Sequence, residues 1–195
     1  MNFSEQIQAI MALHADSIVS WKKNDVQLMH QGFFALVEEN HAFNFQLWHA
    51  EDRARREDMG FEFVYQAKRE IDQYNQQRNN RMEAMDEYLY RLIKPKAPKD
   101  CAVNSETPGM MIDRLSIMSL KAYHMQAQTQ RQDVDEAHRQ NCLQKVAIIR
   151  EQQQQLQRCL QHLILEVQQG TRTFRVYHQF KMYNDPALNP ELYRS

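Results

Sequence analysis

The chain has 195 residues, enough for one domain with its own core and no covalent staples. A formal net charge of -1, from 24 basic and 25 acidic side chains, gives no global attraction to nucleic acid, so no nucleic-acid partner is expected. The cysteines Cys101, Cys142 and Cys159 are odd in number, far apart and without a Cys-x-x-Cys, which argues against a disulfide framework or a thiolate zinc site.

With only 4 glycines and 5 prolines the composition is helical. Met1 to Ser20 include Glu5, His14 and Asp16 and no unbroken apolar run, so a signal peptide is not expected. No segment approaches the roughly 20 apolar residues of a membrane helix. A soluble, cytoplasmic protein follows as the expectation.

Phe3, Ile7, Ile10, His14, Ser17 and Trp21 recur at steps of three and four, the mark of a first amphipathic helix. Asn24-Asp25 breaks it, and a second helix is predicted over 26–56 with Met29, Phe33, Leu36, Phe43 and Leu47 on one stripe. Gly60 punctuates, and a third helix follows over 61–93, stopped by Pro95 and Pro98. Residues 94–107 form a loop. A fourth helix is predicted over 108–130 and a fifth over 134–169, ended by Gly170. The fifth carries a seam of Val146, Ile149, Gln153, Leu156, Leu160, Leu163 and Val167, and most glutamines of the run 152–155 should face water.

Beyond Gly170, Phe174, Tyr177, Phe180, Tyr183 and Tyr193 alternate with Arg172, Arg175 and Lys181, and two prolines rule out a continued helix. The expected architecture is all-α: an elongated bundle of about five helices over 1–170, with an ordered irregular tail over 171–195 packed on it. Aromatics of that tail should cover apolar surface, or the tail could form the rim of a site.

Asn104-Ser105-Glu106-Thr107-Pro108-Gly109 reads as a built helix entrance. Ser105 or Thr107 can cap, Pro108 suits the first turn, and Gly109 permits close approach to the backbone. Free N–H groups at a helix start attract anions, and Arg114 falls within the first two turns. The third helix adds a second clue. Its apolar seam is interrupted in the middle by Lys68, Asn75 and Arg78. Such charges need partners (Asp72 or Asp86), a cavity for an anionic ligand, or a different helical phase that turns them to solvent.

The second helix sets Asn40, His41 and Asn44 among aromatics, followed by His49, Asp52 and Arg55 at steps of three. In the fourth helix Asp113 and His124 are eleven apart and share a face with Ser116. Three helices thus each carry an acid–base–amide set near the middle of the bundle. Glu38-x-x-His41 and Asp135-x-x-His138 faintly echo di-iron bundles, but no paired glutamates accompany them and no ligand spacing demands a metal. No phosphate loop, dinucleotide fingerprint or nucleophile elbow is present, and no cysteine shows a local histidine partner. No cofactor is expected.

Asn44-x-x-x-Trp48-His49-x-Glu51-Asp52-x-Ala54-Arg55, the stretch from Asn104 to Ile117, Lys121-x-Tyr123-His124 and the ending from Gln179 to Pro186 resemble domain-of-unknown-function family 4254, an uncharacterised bacterial family. The resemblance covers most of the chain. It implies a neighbourhood among glycosyltransferases of cell-envelope polysaccharide assembly, a pathway without a reaction, and it carries no catalytic residues over.

The expected function is to bind or act on a phosphorylated sugar or similar small anion. Lys68, Asn75, Arg78, Ser105, Thr107 and Arg114 would hold it, while His49, Asp52, Asp113 and His124 orient it or transfer protons. The alternative is a non-catalytic helical module that partners a glycosyltransferase or forms a homodimer, with these side chains as an internal ion-pair network and an apolar patch exposed.

Overall fold

The computed structural model describes residues 3–95, 98, 100–180, 182 and 185–193. Its helices are α1 (Phe3–Trp21), α2 (Phe33–Ala54), α3 (Phe61–Ile93), α4 (Pro108–Gln128), α5 (Glu136–Gln169) and the single turn α6 (Pro190–Tyr193). Five long helices make the fold all-α. α2 pairs chiefly with α3 and α4 with α5, while α1 lies across α2, α4 and α5.

Helix ends follow local chemistry. Thr107 caps α4 by accepting from the Met110 N–H, Asp135 caps α5 by accepting from the His138 N–H at 2.7 Å, and Gly170 closes α5 at φ 74°. The start of α2 departs from the prediction, which placed it at residue 26. Residues 25–31 have no helical turn, because the Glu38 carboxylate accepts from the Met29 and His30 N–H groups, each at 2.9 Å. The helix therefore starts after Gly32, where φ is 61°.

Apolar faces meet in three clusters. The largest gathers Ile10, Val37, Met85, Leu115, Leu160 and Val167 from the five long helices. A second holds Ile18, Trp21, Phe45 and Leu120, and a third Leu47, Ala50 and Ile71. The α5 seam is buried at Val146, Leu156, Leu160, Leu163 and Val167, so it belongs to this core and is not a free dimerising face. Of the four glutamines, Gln153 donates to Ser119 Oγ at 2.9 Å and the other three are exposed.

The sequence offered no sign of a small parallel pair, β1 (Ala102–Asn104) with β2 (Arg172–Phe174). It clips the 94–107 loop to the segment after α5 and seats Phe174, 1% exposed, in the main core. Among the described residues Phe174 is the one tail aromatic that is buried as expected. Tyr177, Phe180 and Tyr193 are exposed, and Lys181 and Tyr183 lie outside the described residues. Pro186, Asn189 and Leu192 border a groove along α3 instead of the polar residues of α2 and α4.

Candidate functional site

The helix entrance is already occupied by the protein itself. Asp86 of α3 reaches it: Thr107 Oγ donates to Asp86 Oδ2 at 2.5 Å, and the Gly109 N–H donates to Oδ1 at 2.6 Å. Pro108 has no N–H, Met110 donates to Thr107 Oγ, and Met111 donates to the Thr107 carbonyl. Every donor of the first turn thus has an internal acceptor, and Thr107 is fully buried. The expectation that Thr107 and this turn cradle an external anion is corrected accordingly, while Ser105, just before them, is exposed. Burial pushes the Asp86 carboxyl up to about 6 despite these two bonds.

Between the apolar clusters lies a buried polar layer. Arg78 of α3 grips Asp113 of α4 with two bonds, Nε to Oδ1 at 2.8 Å and Nη2 to Oδ2 at 2.5 Å. The side-chain amides of Asn40 and Asn44 donate to the same Oδ1 at 3.0 and 2.9 Å. Asn44 also donates to Ser116 Oγ at 3.0 Å, which lies 2.7 Å from His41 Nδ1. His41 Nε2 faces the His14 carbonyl at 3.0 Å, so Nε2 carries the proton and Nδ1 accepts from Ser116. The bond to Asp113 raises the Arg78 guanidinium above its ordinary value.

His14 stacks on His41 with ring centroids 4.5 Å apart, and neither of its ring nitrogens has a hydrogen-bond partner among the described residues. Burial holds both rings neutral: His14 falls well below the usual 6.5, and His41 falls to about 3. A base with a lowered folded-state value contributes stability above its unfolded value near 6.5 and loses it as pH falls toward the folded value. Asp86 runs the other way: its contribution is present below about 4 and is lost as pH rises through about 6. Two histidines outweigh one carboxyl. Chemical denaturation should therefore show a loss of at least about 1.4 kcal/mol between pH 7 and pH 5. A flat profile there would show that the pair is not buried neutral.

Above this layer, α2, α3 and α4 enclose a cleft of about 350 Å³ lined by Asn44, Leu47, Trp48, Glu51, Asp52, Arg55, Asn75, Arg78, Ile117 and Leu120. Asp52, Asn75 and Arg78, predicted from two helices, do meet here, with Asp113 directly beneath Arg78. Trp48 contributes an aromatic wall whose ring lies parallel to His124 at 4.5 Å. His49 and His124 do not line this cleft: His49 Nδ1 donates to the Phe45 carbonyl at 2.7 Å, leaving Nε2 to accept from Lys22 Nζ at 2.9 Å. Burial first, then the neighbouring Lys22 and His49, lowers the His124 imidazole to about 4, against an opposing pull from Asp52.

Two expected ligand contacts lie elsewhere. Lys68 is 61% exposed and pairs with Asp72 at 2.6 Å. Arg114 pairs with Glu106 at 2.6 Å and borders a separate cleft between α4 and α5, with Lys121 and Cys159. It cannot share the inward face of Asp113, because adjacent helical residues are about 100° apart. Asp113, buried and fully bonded, anchors the layer and has no open position from which to move a proton. The residues that the sequence did not single out for the site are Lys22 and Trp48.

The metal-like spacings also resolve into other contacts. Glu38 serves the N–H groups before α2, His41 serves Ser116, and Asp135 caps α5. Among the described residues no three His, Cys, Asp or Glu side chains converge as a metal would require. Cys142 does have a local partner, His138 Nε2 at 3.5 Å, although the thiol is buried.

Five long helices around a buried polar layer, with a polar cleft opening above it, define an all-α domain with a built small-molecule-sized hollow. Residues 34–176 match the family described as proteins of unknown function (DUF4254), and the chain belongs to that family. No curated protein and no solved structure matches the chain. Among the described residues no helix is long and apolar enough to cross a membrane.

Proposed function

We propose that the cleft between α2, α3 and α4 binds a small polyhydroxylated anion, a sugar phosphate or nucleotide sugar. One observation carries this reading: Trp48, Asp52, Asn75 and Arg78, from two helices, line one hollow whose floor is held by four hydrogen bonds to Asp113. An indole face suits a sugar ring, carboxylate and amide groups suit its hydroxyls, and Arg55 and Arg78 supply positive charge. The family resemblance adds bacterial glycosyltransferase neighbourhoods, for which such a ligand is an apt substrate and the cytoplasm an apt location. His49 and the neutral His124, both near Asp52, are suited to proton transfer if the protein is an enzyme.

A thermal-shift screen of sugar phosphates and nucleotide sugars tests the reading. A ligand should raise the melting temperature of wild type and of Arg114→Ala alike, and of Asn75→Ala much less. Saturation at one hundred times Kd corresponds to about 2.7 kcal/mol. Equal shifts for Asn75→Ala and wild type would remove the cleft from consideration.

A second reading, an interaction module, is favoured by a different feature. A hollow of about 890 Å³ between α1, α4 and α5 has an apolar floor of Met11, Ala15, Ile18 and Ala122 and a glutamine rim. A glycosyltransferase segment or a second copy docked there would be unaffected by Asn75→Ala and weakened by Ala15→Lys.

A further inference from the structure

Beyond Trp48 and Asp52 of the cleft lining, three bases gather, and the Asp52 carboxylate acts on two of them, Lys22 and His124. Lys22 extends from just beyond the end of α1 and donates to His49 Nε2 at 2.9 Å. The His49 and His124 rings stand edge to face with centroids 6.3 Å apart. His124 Nε2 is buried and has no hydrogen-bond partner among the described residues. Tyr123 flanks His124 edge-on at 5.5 Å. Lys22 and Asp52 are exposed, so the group opens to solvent. The charged and titratable groups that face His124 are thus Lys22 from the turn after α1, His49 and Asp52 from α2, and Tyr123 from its own helix.

The one negative group acting on this assembly among the described residues is Asp52. Burial lowers the proton affinity of Lys22, and Asp52 opposes that effect. Burial and the neighbouring ammonium disfavour a proton on His124 more than Asp52 favours one, so added negative charge nearby would help it to gain a proton. A tetrahedral dianion would supply that charge. It would accept from the Lys22 ammonium and from an imidazolium N–H, and the Trp48 face, already parallel to His124, would support the new positive charge.

We propose that Lys22, His49 and His124 form the seat of a phosphate monoester dianion, and that its binding draws one proton onto His124. The proposal rests on the sugar-phosphate reading above and deepens it: the sugar occupies the cleft and the phosphate crosses Asp52 to this seat.

Sulfate is the discriminating probe, because it remains a dianion across the working range while phosphate does not. Calorimetry of sulfate binding should show an affinity that falls with rising pH from about pH 4.5 to about pH 6, by nearly tenfold per unit at the steepest, the limit for uptake of one proton. Heats in two buffers of different ionisation enthalpy count that proton directly. Lys22→Met should weaken sulfate by about tenfold or more at every pH. His124→Gln should flatten the slope, and Asp52→Asn should tighten binding.

Histidine ring NMR keeps the test open if His124→Gln folds poorly: in the wild type, sulfate should move the His124 titration up from about 4. Sulfate-competable binding of hexose 1-phosphate marks a soluble source, and of phosphatidic acid vesicles a lipid-borne one; either supports the seat. No sulfate binding, or binding independent of pH and of Lys22, overturns it. An uncharged sugar whose binding still depends on Asn75 would leave the cleft reading intact when the seat fails.

Discussion

Arg78→Met should lose about 3–5 kcal/mol of folding stability, read as a lower denaturant midpoint at unchanged slope. The side chain of Asp113 is 2% exposed, and Arg78 is the sole cation bonded to it among the described residues. Asn40 and Asn44 would still donate to Oδ1, but two neutral amides cannot replace a bidentate guanidinium for a carboxylate this deep. The opposite deletion should be milder. In Asp113→Asn, Arg78, whose side chain is 24% exposed, can turn toward the cleft and find water. The substituted amide keeps the shape of the carboxylate and an acceptor for Asn40 or Asn44.

The double variant then decides how much is ion pair and how much is packing. With the charge removed from both partners, the loss should be smaller than for Arg78→Met alone, giving a coupling of about 1–3 kcal/mol. Additive single effects, each below about 1 kcal/mol, would mean that Arg78 and Asp113 do not hold the layer together. The cleft is affected as well, because Arg78 is part of its wall. A variant that folds but leaves Asp113 exposed below the cleft should repel the very anion that the wild type is proposed to bind.

Much of this architecture was legible because long helices write their faces into the sequence at a regular interval. α3 was bounded correctly over its whole length, and the caps at Thr107 and Gly170 announced themselves, whereas Asp135, expected inside α5, is its cap. Phase over distance was less legible. Lys68 and Arg78 both fall on a seam drawn at alternating steps of three and four, yet ten residues at about 100° each leave them about 80° apart. One therefore faces Asp72 in solvent while the other enters the layer. The same rotation separates Arg114 from Asp113.

Asn40, His41 and Asn44 stood out as polar groups among aromatics, and each is buried. Lys22 could not stand out. It lies beyond the last apolar position of its helix, and its partner His49 is 27 residues away, so only tertiary packing joins them. The β1–β2 pair was hidden for a related reason: two three-residue strands are too short to show an alternation.

Gly109→Ala is the second substitution with a large expected effect, and propensity alone predicts the wrong sign. Gly109 lies in the first turn of α4 and does not adopt a positive φ, so alanine should favour the helix by up to about 1 kcal/mol. A Cβ there, however, would stand 2.5 Å from the Met82 carbonyl oxygen and 2.8 Å from Asp86 Oδ1. The first of these is backbone and cannot swing aside. α4 must move away from α3, at a cost of about 1–3 kcal/mol for overpacking. That movement also stretches the Gly109–Asp86 bond and the Thr107–Asp86 bond, leaving a buried carboxyl short of donors at about 1–3 kcal/mol more.

The balance should be a net loss of about 2–4 kcal/mol after the gain in propensity, measurable by thermal or chemical denaturation. Asp86→Asn should lose less than this, and the double variant less than the sum, since both changes act on one contact. Asp113 follows Gly109 by about one turn, so a displaced α4 also pulls the carboxylate from Arg78. Gly109→Ala should therefore lose the ligand-induced thermal shift even where it remains folded. An alanine variant as stable as wild type would show that α4 does not depend on this close approach to α3.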